Sequence, residues 1–140
     1  MSGSQLTAHD VRTIEAVWSA ARADYASHHR PRRQYPGKHS ITSLTHDALA
    51  SARCTSNGQS AKTVVVGREH CFCQVLLALT VGRRLDQYSD QSDATFLVLQ
   101  GTVRVTTGKS LRDGSVGDLL VVPADARTLT ALSDCVLLCT

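Results

Sequence analysis

The sequence predicts a mainly β protein: one antiparallel β-barrel preceded by one or two N-terminal α-helices. Three observations carry that expectation. Seven short runs rich in β-branched and apolar residues follow one another between Thr63 and Cys139. Turn-forming pairs, among them Val81-Gly82, Gly108-Lys109, Asp113-Gly114 and Gly117-Asp118, separate them. No helical period intervenes, which excludes alternating helix and strand and leaves a barrel or sandwich.

Taken in chain order, the first element is a helix over residues 7–26. Thr7 caps it, Asp10 places an acid in its first turn, and Val11, Ile14, Trp18, Ala21 and Tyr25 recur at three- and four-residue steps. Residues 28–40 hold Pro31, Pro36 and Gly37 among basic groups and read as an extended linker without regular structure. A second, short helix is expected over Thr45–Arg53, capped by Thr45 or Ser43 and ending near Ser56-Asn57-Gly58. The strands expected after it are 63–66, 71–79, 95–100, 102–106, 119–122, 128–132 and 135–139. The domain plan is thus a helix and basic linker arm over 1–44, and a barrel with a short leading helix over 45–140.

At 140 residues, 42% hydrophobic and 19% charged, the chain has the length and composition of one globular domain. No apolar run approaches the ~18 residues needed to span a bilayer, and the first ten residues carry no secretory signal, so no membrane association and a cytoplasmic location are expected. Five cysteines, Cys54, Cys71, Cys73, Cys135 and Cys139, then read as reduced thiols. Alternation puts Cys71 and Cys73 on one strand face and Cys135 and Cys139 on another. Small buried hydrophobes are the favoured reading over a four-thiolate zinc site, for want of turn-borne C-x-x-C pairs.

The formal charge of +3 lies entirely in the arm: residues 1–40 hold six Lys/Arg against three Asp/Glu, and the remainder nine against nine. Arg30, Arg32, Arg33 and Lys38, interleaved with His28, His29, His39 and Tyr35, are the candidate contacts to an acidic protein or nucleic acid through residues 28–39. A solvated linker is the plainer alternative. Six aromatic residues in the whole chain leave little for base stacking.

Two segments narrow the barrel. Val98-Leu99-Gln100-Gly101-Thr102-Val103-Arg104-Val105 resembles the cupin strand–turn–strand motif, in which glycine permits a tight turn between paired strands. Gly117-Asp118-Leu119-Leu120-Val121-Val122-Pro123 resembles the opening of the second cupin motif. With Gly58, Ser60 to Val64 and Glu69-His70, the likeness is to small single-domain bacterial cupins of the RmlC-like jelly-roll type and covers residues 45–140.

That resemblance implies a metal held by two histidines and a glutamate from the first motif and a histidine from the second. The matching stretch, Leu85 to Thr95, contains no histidine. Tyr88 falls where the small cupins carry histidine, Asp93 where they carry glutamate, and Arg127 or Thr128 where the last histidine would be. Arginine does not ligate cations, and its charge repels them. Asp86 and Asp90 are further oxygen donors for a hard ion, but a solvated acidic loop has the same composition. His70 reads as a structural histidine without partners in sequence. No metal, no cofactor and no catalytic residue are therefore assigned.

The expected function is a non-catalytic cupin-fold module, a sensor or regulatory subunit, whose ligand pocket of Tyr88, Asp93 and Arg127 binds a small polar or anionic molecule. Mutual neutralisation of Asp93 and Arg127 across a filled barrel is the competing account of the same residues. Two alternatives stand beside it: an interaction protein whose arm docks on a larger assembly, and a divergent metal-dependent enzyme such as a dioxygenase or isomerase. A homodimer is expected, with the apolar seam of the first helix as a contact.

Overall fold

The computed structural model describes residues 5–6, 16–20, 23, 37–66, 73–86, 94–123 and 128–140. Ten strands and two helical segments are present among them. Strand β1 is Gln5–Leu6; residues 16–20 and Ala23 are helical and form the described part of α1; helix α2 is Ile41–Cys54. Then follow β2 (Gln59–Val66), β3 (Cys73–Leu79), β4 (Arg84–Asp86), β5 (Ala94–Gln100), β6 (Val103–Thr106), β7 (Leu111–Gly114), β8 (Leu119–Val122), β9 (Thr128–Ala131) and β10 (Cys135–Cys139).

Two antiparallel sheets face each other. One has the order β1-β2-β3-β10-β5-β8 and the other β4-β9-β6-β7. Their facing side chains make the main core: Val75, Leu77, Leu79, Phe96, Val98, Cys135, Leu137 and Cys139 from the larger sheet meet Leu85, Val103, Val105, Leu129 and Ala131 from the smaller. Alternation is clean in β5, where Ala94, Phe96 and Val98 are buried and Thr95, Leu97 and Leu99 are half-buried. It is absent in β3, buried at every position but Gln74. The reason is a second layer: Leu76, Ala78 and Val136 face outward and are covered by Ala48, Leu49 and Ala52 of α2.

Helix α2 forms where an apolar stripe and a cap coincide. Leu44, Thr45, Ala48, Leu49 and Ala52 recur at three- and four-residue steps, and burial of Leu49 alone contributes about 1.5–3 kcal/mol. Ser40 is the N-cap, its hydroxyl accepting the Ser43 amide at 3.3 Å. At the other end Thr55 is extended, and both its amide and its hydroxyl donate to the Ala52 carbonyl. The expected start at Thr45 is therefore corrected by one turn: Ser40, not Ser43 or Thr45, supplies the cap, and Ile41 and Leu44 extend the apolar stripe.

A second correction concerns Gly101. β5 and β6, expected to pair across it, lie in different sheets: β5 pairs with β10 and β8, β6 with β7 and β9. Gly101 (φ +76°) is the corner where the chain crosses between layers, pressed against the Asp134 carbonyl of the β9–β10 turn. Ser133 completes the junction, its hydroxyl accepting the Thr102 amide at 2.9 Å.

The first helix was expected to bury a stripe through Trp18. Trp18 does pack against the barrel core, but the fully buried residue is its neighbour Val17, which joins that core. The remaining stripe positions, Val11, Ile14, Ala21 and Tyr25, lie outside the described residues. Among the described residues no helix is long and apolar enough to cross a membrane.

Asp134 ties the Gly101 end of the barrel together. Its Oδ1 accepts the Val81 amide at 2.9 Å from the β3–β4 turn, and its Oδ2 accepts Arg53 Nε and Nη2 at 3.1 and 3.0 Å from the end of α2. The Val81 amide first, and Arg53 after it, hold the Asp134 carboxyl below its ordinary range. A depressed folded-state pKa stabilises the fold above the unfolded value of ~3.9, and that contribution is lost as pH falls through the folded value. Asp134→Ala is expected to lose about 1–2 kcal/mol at pH 7, and the gap to the parent should narrow below pH ~4. Urea midpoints across that pH range check it; a gap that widens in acid would refute the linkage.

Candidate barrel mouth and an outer groove

The register brings several strand ends to one rim. Asp86 at the end of β4 faces Thr128 at the start of β9, Ala94 at the start of β5 faces Val122 at the end of β8, and Val66 faces Cys73. Thr95 and Thr140 exchange two backbone hydrogen bonds of 2.9 Å at the same end. The stretches that carry Tyr88 and Asp93 on one side and Arg127 on the other are therefore both anchored at this rim. Tyr88, Asp93 and Arg127 themselves lie outside the described residues, as do Asp90, His70 and Cys71. So do Arg30, Arg32 and Arg33. Lys38 is described and exposed, two residues before the α2 cap. Asp86 lies 4.0 Å from Arg84 with both side chains half or more exposed, a contact of little energetic weight.

Behind the rim the described interior is apolar, and its polar exceptions are few. Thr63 is buried with a hydroxyl that has no hydrogen-bond partner. Cys73, Cys135 and Cys139 project into the same core. Burial pushes the Cys135 thiol up to about 12, against the opposing pull of the Leu79 amide and with a smaller push from the Asp134 charge. Burial raises Cys139 further, and Cys135 and Cys73 add to it. Thiols so shifted stay protonated at neutral pH, the wrong state for a nucleophile.

Among the described residues no three His, Cys, Asp or Glu side chains lie close enough to hold a metal ion. The positions to which the cupin motifs assign the metal ligands lie outside the described residues, apart from Thr128.

A separate concavity lies on the outside of the barrel, between the first turns of α2 and the end of β5. It has a volume of about 370 Å³ and is lined by Ile41, Thr42, Thr45, His46, Leu99 and Gln100. Thr45, read from sequence as a helix cap, is instead buried at 8% exposure, and its hydroxyl has no partner. Sequence reasoning missed this groove because its two walls are more than fifty residues apart and meet only through packing.

Three solved structures show what the architecture is similar to. A cupin superfamily protein from Desulfitobacterium hafniense aligns over 79% of this chain and 95% of its own, with TM-score 0.58 and 15% identity. An RmlC-like cupin from Shewanella frigidimarina aligns over 60% and 75%, with TM-score 0.51 and 15% identity. An RmlC-like cupin from Desulfovibrio desulfuricans aligns over 79% and 94%, with TM-score 0.50 and 16% identity. No family model and no curated protein sequence matches the chain. At such identities the likeness carries the architecture alone: this chain has the cupin fold.

Proposed function

We propose that the protein is a non-catalytic cupin-fold module that binds a small polar or anionic molecule at the barrel rim and acts as a sensor or regulatory subunit. The observation that supports this reading most is the chemistry of the described interior. It is a packed apolar core in which the Cys135 and Cys139 thiols are held protonated, and it contributes no charged group to the rim above it. The sequence adds a phenol, a carboxylate and a guanidinium, Tyr88, Asp93 and Arg127, on stretches anchored at that rim. In this reading Arg127 is the anion partner, through paired N–H donors matched to a carboxylate or phosphate.

The test is a thermal-shift screen of small carboxylates and phosphates on the full chain and on Arg127→Ala. At least one anion is expected to raise the parent's midpoint and to lose that effect on mutation. A ligand present at a hundred times its Kd adds ~2.7 kcal/mol of stability, well within reach of the method. If every stabilising anion acts equally on the variant, or none acts on either, the anion pocket is refuted.

A further inference from the structure

Exposed large apolar side chains are not spread evenly over the described residues. Of Val81, Leu111, Val116, Leu119, Val121 and Leu132, four lie on the short stretch from β7 through its turn into β8. Strand β8 is an edge of the larger sheet. Leu119 and Val121 stand on its outer face, 60% and 71% exposed, opposite Leu97 and Thr95 of β5. Helix α2 covers Leu76, Ala78 and Val136 on the same face and leaves Leu119 and Val121 open. The backbone of that edge is equally open. Thr95 exchanges its hydrogen bonds with Thr140, so Ala94 and Phe96 turn theirs toward β8, and Val98 bonds Gly117 and Asp118 on that side. Leu120 and Val122, opposite Phe96 and Ala94, are thereby engaged, and the N–H and C=O groups of Leu119 and Val121 point away from β5. No described strand lies beyond them. Edge strands are ordinarily blunted by a lysine, a proline or an inward charge, and Leu119–Val122 carries none of these.

We propose that β8 pairs with β8 of a second copy of this chain, antiparallel about a two-fold axis at Leu120. Leu119 then stands opposite the partner's Val121, and Val121 opposite the partner's Leu119. Four backbone hydrogen bonds form, and they use every outward N–H and C=O of the two strands. The pairing ends by itself on both sides: Pro123 has no N–H to give, and the Gly117 amide already donates to Val98. A two-fold axis normal to the sheet keeps both outer faces on one side, so the two Leu–Val pairs form one apolar strip. No like charges meet across it. Asp118 falls opposite the partner's Val122, and its carboxylate is turned back to accept the Ser115 amide at 2.8 Å. This match of apolar to apolar and of donor to acceptor under one symmetry operation selects a second copy over a strand of another protein. The contact lies on β8 and not on the apolar seam of the first helix, and the ligand at the rim plays no part in it. A four-residue ladder is small beside the ~800 Å² per partner of stable interfaces, so a dissociation constant in the micromolar range is expected.

The experiment is sedimentation equilibrium of the full chain from low micromolar to submillimolar concentration, joined to amide hydrogen exchange at both ends of that range. The variants are Val121→Lys, Leu119→Lys and Val81→Lys, the last an exposed apolar position in the β3–β4 turn. A monomer–dimer equilibrium is expected for the parent. Val121→Lys and Leu119→Lys should each weaken it at least about tenfold, as a lysine does on an edge strand. Val81→Lys should dimerise as the parent does. All three side chains stand in solvent, so parent-like unfolding midpoints are expected, and either β8 variant alone suffices for the test. Exchange at the Leu119 and Val121 amides should slow as concentration rises, while the Leu120 and Val122 amides, bonded to β5, stay protected throughout. A monomer at every concentration overturns the proposal and leaves the edge to a strand of another protein. Dimerisation undiminished in both β8 variants, lost equally in Val81→Lys, or without added protection at Leu119 and Val121 also overturns it.

Discussion

Gly101→Ala is expected to destabilise the protein by at least about 3 kcal/mol, from the sum of two independent faults. The first is conformational: at φ +76° an L-residue pays about 1–2 kcal/mol against the left-handed backbone. The second is steric. A β-carbon there meets the Asp134 carbonyl oxygen head-on and lies 2.9 Å from both the Asp134 carbonyl carbon and the Cys135 Cα. These are main-chain atoms at the start of the central strand β10, so nothing flexible can give way. Gly82 is the internal control. It has φ +84° but nothing within 4 Å of the same added atom, so Gly82→Ala isolates the backbone cost. Urea midpoints at unchanged m-value measure both. A Gly101 variant no worse than the Gly82 variant would mean that the inter-sheet corner is not tightly packed.

Phe96→Ala ranks beside it, with an expected loss of about 3–5 kcal/mol. Phe96 is 0% exposed and the bulkiest of the fully buried side chains. It stands opposite Leu120 on one side and Cys139 on the other, in the middle of the barrel interior. Alanine removes the ring's transfer energy and leaves a cavity between two sheets whose spacing is fixed by their own ladders. Phe96→Leu should recover more than half of the loss, because most of the volume returns. Equilibrium unfolding of the two variants decides the matter: a loss below 1 kcal/mol for alanine would show that the sheets close over the gap.

The contrast between these two sites shows what was legible in the sequence. β8 and β10 were read at the limits the structure gives them, Leu119–Val122 and Cys135–Cys139, because apolar runs between turn residues leave little freedom. Three strands escaped notice. β4 (Arg-Leu-Asp) buries one residue and β7 (Leu-Arg-Asp-Gly) buries only its glycine, so neither shows a period of two. β1 is two residues long. Such strands are specified by their partners: β7 is held by the register of Arg104 opposite Asp113, with the two side chains 2.7 Å apart on the outer surface. Gly101 was recognised as a turn, but whether a turn joins two strands of one sheet or crosses between sheets is settled by distant contacts, here Asp134 and Ser133. The candidate site divides in the same way. The Thr45 hydroxyl and Gln100 meet only after α2 docks, and no local pattern marks them. Tyr88, Asp93 and Arg127 were proposed from motif position, and what the structure adds is the shared rim of their anchors.

The place of β10 has a consequence for how the chain acquires this fold. Cys135–Cys139 lies between β3 and β5, yet both of those strands precede it by about 35 residues or more in sequence. As the chain emerges from a ribosome, Cys-Gln-Val-Leu-Leu-Ala-Leu and Ala-Thr-Phe-Leu-Val-Leu-Gln are complete long before the strand that joins them, each with an open edge of strongly apolar character. Long-range pairing of this kind folds slowly, and the waiting edges invite association with other chains. Helix α2 precedes both strands in the chain, and in the finished fold it covers Leu76 and Ala78 on the outer face of β3.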